Sequence, residues 1–102
     1  MLEVTIKLNE FTIRGHAEYA EHGRDIVCSA ISAIAQTAVL GLETYGFLTK
    51  EVQPGYMHVV LQTSSIETMA IMATMEMGMV QISKQYPEYV QIKGGYERDK
   101  KN

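Results

Sequence analysis

The chain predicts an α+β fold. A single four-stranded sheet, mixed or antiparallel, carries two helices on one face, in the order β-β-α-β-α-β. Two apolar-polar alternations near the start and two long runs with helical spacing, each behind a capping residue, lead to this reading. At 102 residues it forms one domain, residues 1–102, with a small core that dimerisation would help to stabilise.

Each element has its own signal. Leu2, Val4, Ile6 and Leu8 alternate with Glu3, Thr5 and Lys7, the period of a strand with one buried face. A tight turn at Asn9 and Glu10 leads into a second strand, where Phe11 and Ile13 face inward and Thr12, Arg14 and His16 face outward. Ala17 to Arg24 is polar, contains Gly23, and reads as a loop. Asp25 is a good N-cap for a helix from about Ile26 to the Tyr45–Gly46 region, with Val27, Ala30, Ile31, Ile34, Ala38, Leu42 and Tyr45 at helical spacing. Gly41 costs this helix roughly 1 kcal/mol against alanine, and it either permits close packing or marks the final turns.

Phe47 to Gly55 reads as a polar connection containing Pro54, and Tyr56 to Thr63 as a third strand. Ser65 caps a second helix, roughly Ile66 to Gln85, which Pro87 ends. Tyr89 to Lys93 is a short last strand. In the second helix Ile66, Met69, Ala70, Ala73, Met77 and Val80 form a stripe suited to the sheet, while Ile71, Met72, Met75, Met79 and Ile82 spread apolar surface further round. A helix apolar on most sides needs cover, and a homodimer is the expected source.

The bulk properties exclude several classes. A net charge of -3 argues against strong sequence-independent nucleic-acid binding, and Arg98, Lys100 and Lys101 read as a solvated tail. One cysteine cannot form an internal disulfide, which fits a reducing, cytoplasmic setting. The alternating start is unlike a secretory signal. No segment is expected to span a bilayer, so no membrane partner is expected.

The chemistry concentrates in GHAEYAEHGRDIVCSAIS. Cys28, the only cysteine, falls in the first turn of the first helix, twelve residues after His16 at the end of a strand. Backbone amides and the positive end of the helix dipole favour an anion there. A thiol and an imidazole that the loop could bring together have the parts for nucleophilic catalysis. Ser29 shares the first turn and Ser32 lies one turn on, on the Cys28 face. The amides of Val27, Cys28 and Ser29 are candidates for holding an oxyanion. Gly15 and Gly23 allow close backbone approach.

Plainer readings compete. A cysteine near a helix start is commonly a small packing residue. His22 is a rival imidazole that reads as solvated. A zinc site from His16, His22, Cys28 and His58 fits the usual ligand spacings poorly. Asp25 reads as a cap rather than a third catalytic group, and Glu18 and Glu21 as solvated.

Gly15-His16-Ala17, then Gly23, Asp25, Ile26-Val27-Cys28 and Ser32, resemble the ribosomal-processing cysteine protease family, often called Prp. Ser29 stands where that family often has alanine. The resemblance implies a dimeric bacterial endopeptidase with Cys28 as nucleophile and His16 as general base and acid, without metal or organic cofactor. It implies removal of the short N-terminal extension of large-subunit ribosomal protein twenty-seven, in support of ribosome assembly, with cleavage after an apolar, aromatic-rich sequence. Asp25 and Ser32 would cap and orient, and the loop between His16 and Cys28 would close over the peptide. The competing expectations are a non-catalytic ribosome-associated binding module and a structural dimer with an inert thiol.

Overall fold

A computed structural model describes residues 1–21 and 24–94. His22, Gly23 and the basic residues Arg98, Lys100 and Lys101 lie outside the described residues. The elements are β1 (Leu2–Ile6), β2 (Glu10–Gly15), α1 (Ile26–Tyr45), β3 (Leu48–Gln53), β4 (Tyr56–Leu61), α2 (Ile66–Gln85) and β5 (Val90–Gly94). The sheet is mixed, with strand order β3-β4-β2-β1-β5. Its β1–β2, β2–β4 and β3–β4 pairs are antiparallel, and β1–β5 is parallel.

The sheet therefore has five strands rather than four. The segment read as a polar connection contains β3, which pairs with β4 from Leu48↔Leu61 to Gln53↔Tyr56. An edge strand with one paired side needs no buried face, and only Leu48 of β3 escapes full exposure. Pro54 and Gly55 make the tight connection, Pro with its fixed φ and Gly55 at φ 72.

One sheet face is apolar. Leu2, Val4, Ile6, Phe11, Ile13, Val59, Leu61 and Val90 are buried there, beneath Val27, Ile31, Ala35, Ala38, Val39 and Leu42 of α1 and Met72, Met75 and Met79 of α2. Leu8 falls in the β1–β2 turn and is exposed. The alternate residues of β1, β2 and β4 form an open polar face, where His58 Nε2 lies 2.8 Å from Glu10 Oε2 and Arg14 lies over the Tyr56 ring.

Both helix starts follow the expected chemistry. The Asp25 carboxylate accepts the Val27 and Cys28 N–H groups, and Ser65 forms a capping box with Thr68. The inward face of α2 differs from the expected one. Thr68, Met72, Met75 and Met79 are buried, whereas Ile66 is 84% exposed, Met69 53% and Met77 65%. Apolar residues on several sides of α2 left its orientation undetermined by periodicity. Contact with β5 and α1 selects the methionine side, where unbranched side chains fill irregular gaps. Gly41 allows α1 to approach α2 closely, since a Cβ there would stand 3.1 Å from Ile71 Cδ1.

Contrary to the sequence expectation, α1 is long and apolar enough to match a membrane span by length and composition. Val27, Ile31, Ala35, Ala38, Val39 and Leu42 of this helix are buried in the core, while Ile26, Leu40 and Tyr45 are exposed.

The revised α2 face has a measurable consequence. Met75→Ala is expected to destabilise the fold by about 2–5 kcal/mol, while Ile66→Ala changes stability by less than about 0.5 kcal/mol. Urea unfolding of both variants checks this, and equal losses would contradict it.

Candidate active site

The site forms where the end of β2 meets the start of α1. Gly15 ends β2 at φ 89, and a Cβ there would stand 2.6 Å from the Met1 carbonyl oxygen. Glycine thus lets the chain leave the sheet beside β1 and present His16. His16 is exposed, and no hydrogen bond or ion pair among the described residues holds its ring.

The next residues turn back onto α1. The Ala17 N–H donates to Cys28 Sγ at 3.2 Å. Glu18 takes a left-handed φ of 60, uncommon outside glycine. The Tyr19 N–H donates to Asp25 Oδ2 at 3.0 Å, while Asp25 Oδ1 accepts Val27 N–H and Cys28 N–H, each at 3.0 Å. One buried carboxylate therefore caps α1 and ties the His16 loop to it. Burial opposes charge on Asp25, but the N–H groups of Cys28, Tyr19 and Ala20, with a smaller contribution from the Cys28 thiol, hold its carboxyl below its ordinary 3.8. The Tyr19 ring packs edge-on against Tyr86 and Tyr89, with centroids 5.5 and 5.1 Å away, which fastens the loop to the far end of α2 and the approach to β5.

His16, Asp25, Cys28, Ser29 and Ser32 line one open cavity of about 740 Å³. An adjoining cavity of about 220 Å³ also holds His16, Cys28 and Ser32, together with Gly15. The structure thus gathers the described site residues expected from sequence, while Gly23 lies outside the described residues. Cys28 is half-buried, so it is neither sealed in the core nor fully exposed. Among the described residues, Cys28 Sγ accepts the Ala17 N–H and makes no hydrogen bond with the imidazole.

One expectation is corrected. The amides of Val27, Cys28 and Ser29 are not free for an oxyanion. The first two donate to the Asp25 carboxylate, and Ser29 N–H donates to the Asp25 carbonyl at 3.1 Å. The cap that orders the helix start uses the donors a bare helix would offer.

Two residues were missed in the sequence. Gln36 lines both cavities and donates from Nε2 to Ser32 Oγ at 2.7 Å. Its i+4 spacing from Ser32 was an available signal. Gly55 enters from the β3–β4 turn, through a hairpin that was not foreseen. His58 points to the other face of the sheet, and no cluster of three or more metal-ligating side chains forms among the described residues.

A family model described as cysteine protease Prp matches residues 1–91. The chain belongs to that family. A ribosomal processing cysteine protease Prp from Staphylococcus aureus is 28% identical over 91 residues, covering 84% of this chain and 86% of that protein. The Prp of Mycoplasma pneumoniae is 37% identical over 51 residues, about half of each chain. In fold, the chain resembles the S. aureus Prp crystallised with a covalently linked product peptide, with a TM-score of 0.76, 23% identity, and coverage of 90% of this chain and 95% of that one. Prp membership makes this chain an enzyme of the cysteine protease class.

Asp25 gives this site a pH signature. Because its folded carboxyl lies below 3.8, its stabilisation is complete above that pH and is lost as pH falls through the lower folded value. Asp25→Asn is expected to remove that acid-side loss from a stability-pH curve, and Asp25→Ala to cost about 1 kcal/mol as a lost cap at neutral pH. Thermal unfolding from pH 2 to 7 checks both. An acid limb of unchanged size in Asp25→Asn would contradict the assignment.

Proposed function

We propose that this chain is a cytoplasmic cysteine endopeptidase that removes the short N-terminal extension of large-subunit ribosomal protein twenty-seven, using Cys28 and His16 as a dyad. The observation that carries the reading is the shared cavity: the only thiol and an imidazole with no polar partner among the described residues line the same space at the mouth of α1. Membership in the Prp family, whose relatives are ribosomal processing proteases, supports the substrate class.

The chemistry then runs in two steps. His16 takes the Cys28 proton as sulfur attacks the scissile carbonyl, forming the C–S bond and an oxyanion. The C–N bond breaks as His16 returns the proton to the leaving amine. Water, deprotonated by His16, attacks the thioester, and the acid product leaves as sulfur recovers its proton.

With the three helix-start amides engaged by Asp25, we assign oxyanion support to the Ser32 hydroxyl. It accepts the Gln36 amide N–H and keeps its own proton free to donate into the cavity. Ala17 N–H steadies the sulfur between steps. The loop from Ala17, held by Asp25 and Tyr19, is the segment that closes over the peptide.

The working form is proposed to be a homodimer. An apolar groove of about 630 Å³ runs between the outer sides of α1 and α2, with small residues Ala33, Gly41, Ala70 and Gly78 among its lining. Exposed Met77 lies three residues beyond Thr74 on the same side. Small residues admit close helix approach, and a second copy supplies matching apolar surface. Sedimentation equilibrium is expected to give twice the 11.4 kDa chain mass, and Ala70→Glu to give monomer. A wild-type monomer at high micromolar concentration would refute the dimer.

The activity has a direct test. The protein is incubated with a peptide bearing the precursor's N-terminal extension, and products are read by mass spectrometry. Cleavage is expected at one bond, abolished in Cys28→Ala and reduced at least about 100-fold in His16→Ala. Undiminished cleavage by Cys28→Ala would overturn the nucleophile. Binding without cleavage, with an unreactive thiol, would favour the non-catalytic ribosome-associated module.

A further inference from the structure

We infer that Gly55, in the β3–β4 turn, is a positioning residue for the His16 imidazole, because its missing side chain leaves the space against which the ring edge rests. The inference rests on the His16–Cys28 reading above and extends it to a residue from the other half of the chain.

Three observations converge on Gly55. A Cβ added there would stand 2.8 Å from His16 Nε2 and 3.3 Å from Cε1. Real Cβ atoms do not approach so closely, so any side chain at 55 must move the ring. The Gly55 carbonyl accepts the Gly15 N–H at 2.8 Å, which ties the residue before His16 to the same turn. Gly55 also lines the smaller cavity with His16 and Cys28.

These contacts define His16 from two directions. The hydrogen bond fixes where its backbone leaves the sheet. The bare Cα of Gly55 bounds how far the ring tip swings toward β3. With no described polar partner on the ring, shape sets its position, and the turn supplies that shape. A methyl group at 55 would push the ring into the cavity. The imidazole is the far end of an exposed side chain, so it yields before the backbone does. A misplacement of about 1 Å at a reacting group costs on the order of 100-fold in rate.

Gly55 also has φ 72, so backbone strain must be separated from ring displacement. Asparagine tolerates positive φ better than alanine but carries the same Cβ. The two substitutions therefore distinguish the causes.

The test has three readouts on the full chain. In the wild type, an NMR cross-relaxation peak between His16 Hε1 and Gly55 Hα is expected, and its absence overturns the contact whether or not any variant folds. In peptide cleavage, Gly55→Ala and Gly55→Asn are both expected to lower kcat about 10- to 100-fold with KM changed less than about twofold. Recovery of kcat by Gly55→Asn would assign the effect to strain and overturn the proposal. In iodoacetamide alkylation of Cys28 across pH, Gly55→Ala is expected to alter the profile in the wild-type background and leave the His16→Ala profile unchanged. An equal change in both backgrounds overturns an action through His16. Failure of the dyad reading itself is distinct: His16→Ala would then cleave normally, while the cross-peak would still report the contact.

Discussion

The Asp25 carboxylate is the constraint on which this active-site region depends. Without it, α1 would begin with unsatisfied amides, and the chain after His16 would lose its Tyr19 tie to the start of the helix that carries Cys28. One oxygen takes the two N–H groups at the helix start, and the other takes Tyr19 from the incoming loop. Burial would discourage charge, yet the ring of N–H donors keeps the carboxylate ionised. The arrangement draws Ala17 close enough for its N–H to reach Cys28 Sγ. It also consumes donors that an exposed helix start would offer to a substrate.

The second half of the chain takes part through the sheet. Although β4 is distant in sequence from β2, it pairs with it antiparallel, and this pairing brings the Pro54–Gly55 turn against the end of β2. The methionine face of α2 packs beside α1 and closes the core, while Tyr86 and Tyr89 at its far end receive Tyr19. Elements with no chemical group of their own thereby fix the backbone on both sides of His16.

Much of this was legible in the residues. Asp25 and Ser65 mark helix starts because a side-chain oxygen must satisfy orphan amides, and both helices run over the expected spans. The His16–Cys28 segment was legible because a thiol, an imidazole, glycines and a capping acid fall within one short stretch of sequence. Strand β3 was hidden because an edge strand with nearly all residues exposed carries no apolar alternation. The inward side of α2 was hidden because Met69 and Met77 are as apolar as Met72 and Met75, so only tertiary contact chooses between them. Gly55 was invisible at the site for a related reason: its approach to His16 exists only once β3 and β4 form their hairpin.

On the proposed reading, the loop tied by Asp25 presents the Cys28 sulfur for covalent attack on a peptide bond. Acid-quenched mass spectrometry during turnover of a precursor peptide tests this most directly. A transient acyl adduct mapped to Cys28 is expected, formed at the rate of leaving-amine release and decaying as the acid product appears. Turnover with no sulfur-bound intermediate, under quench conditions that preserve a synthetic thioester on Cys28, would contradict it.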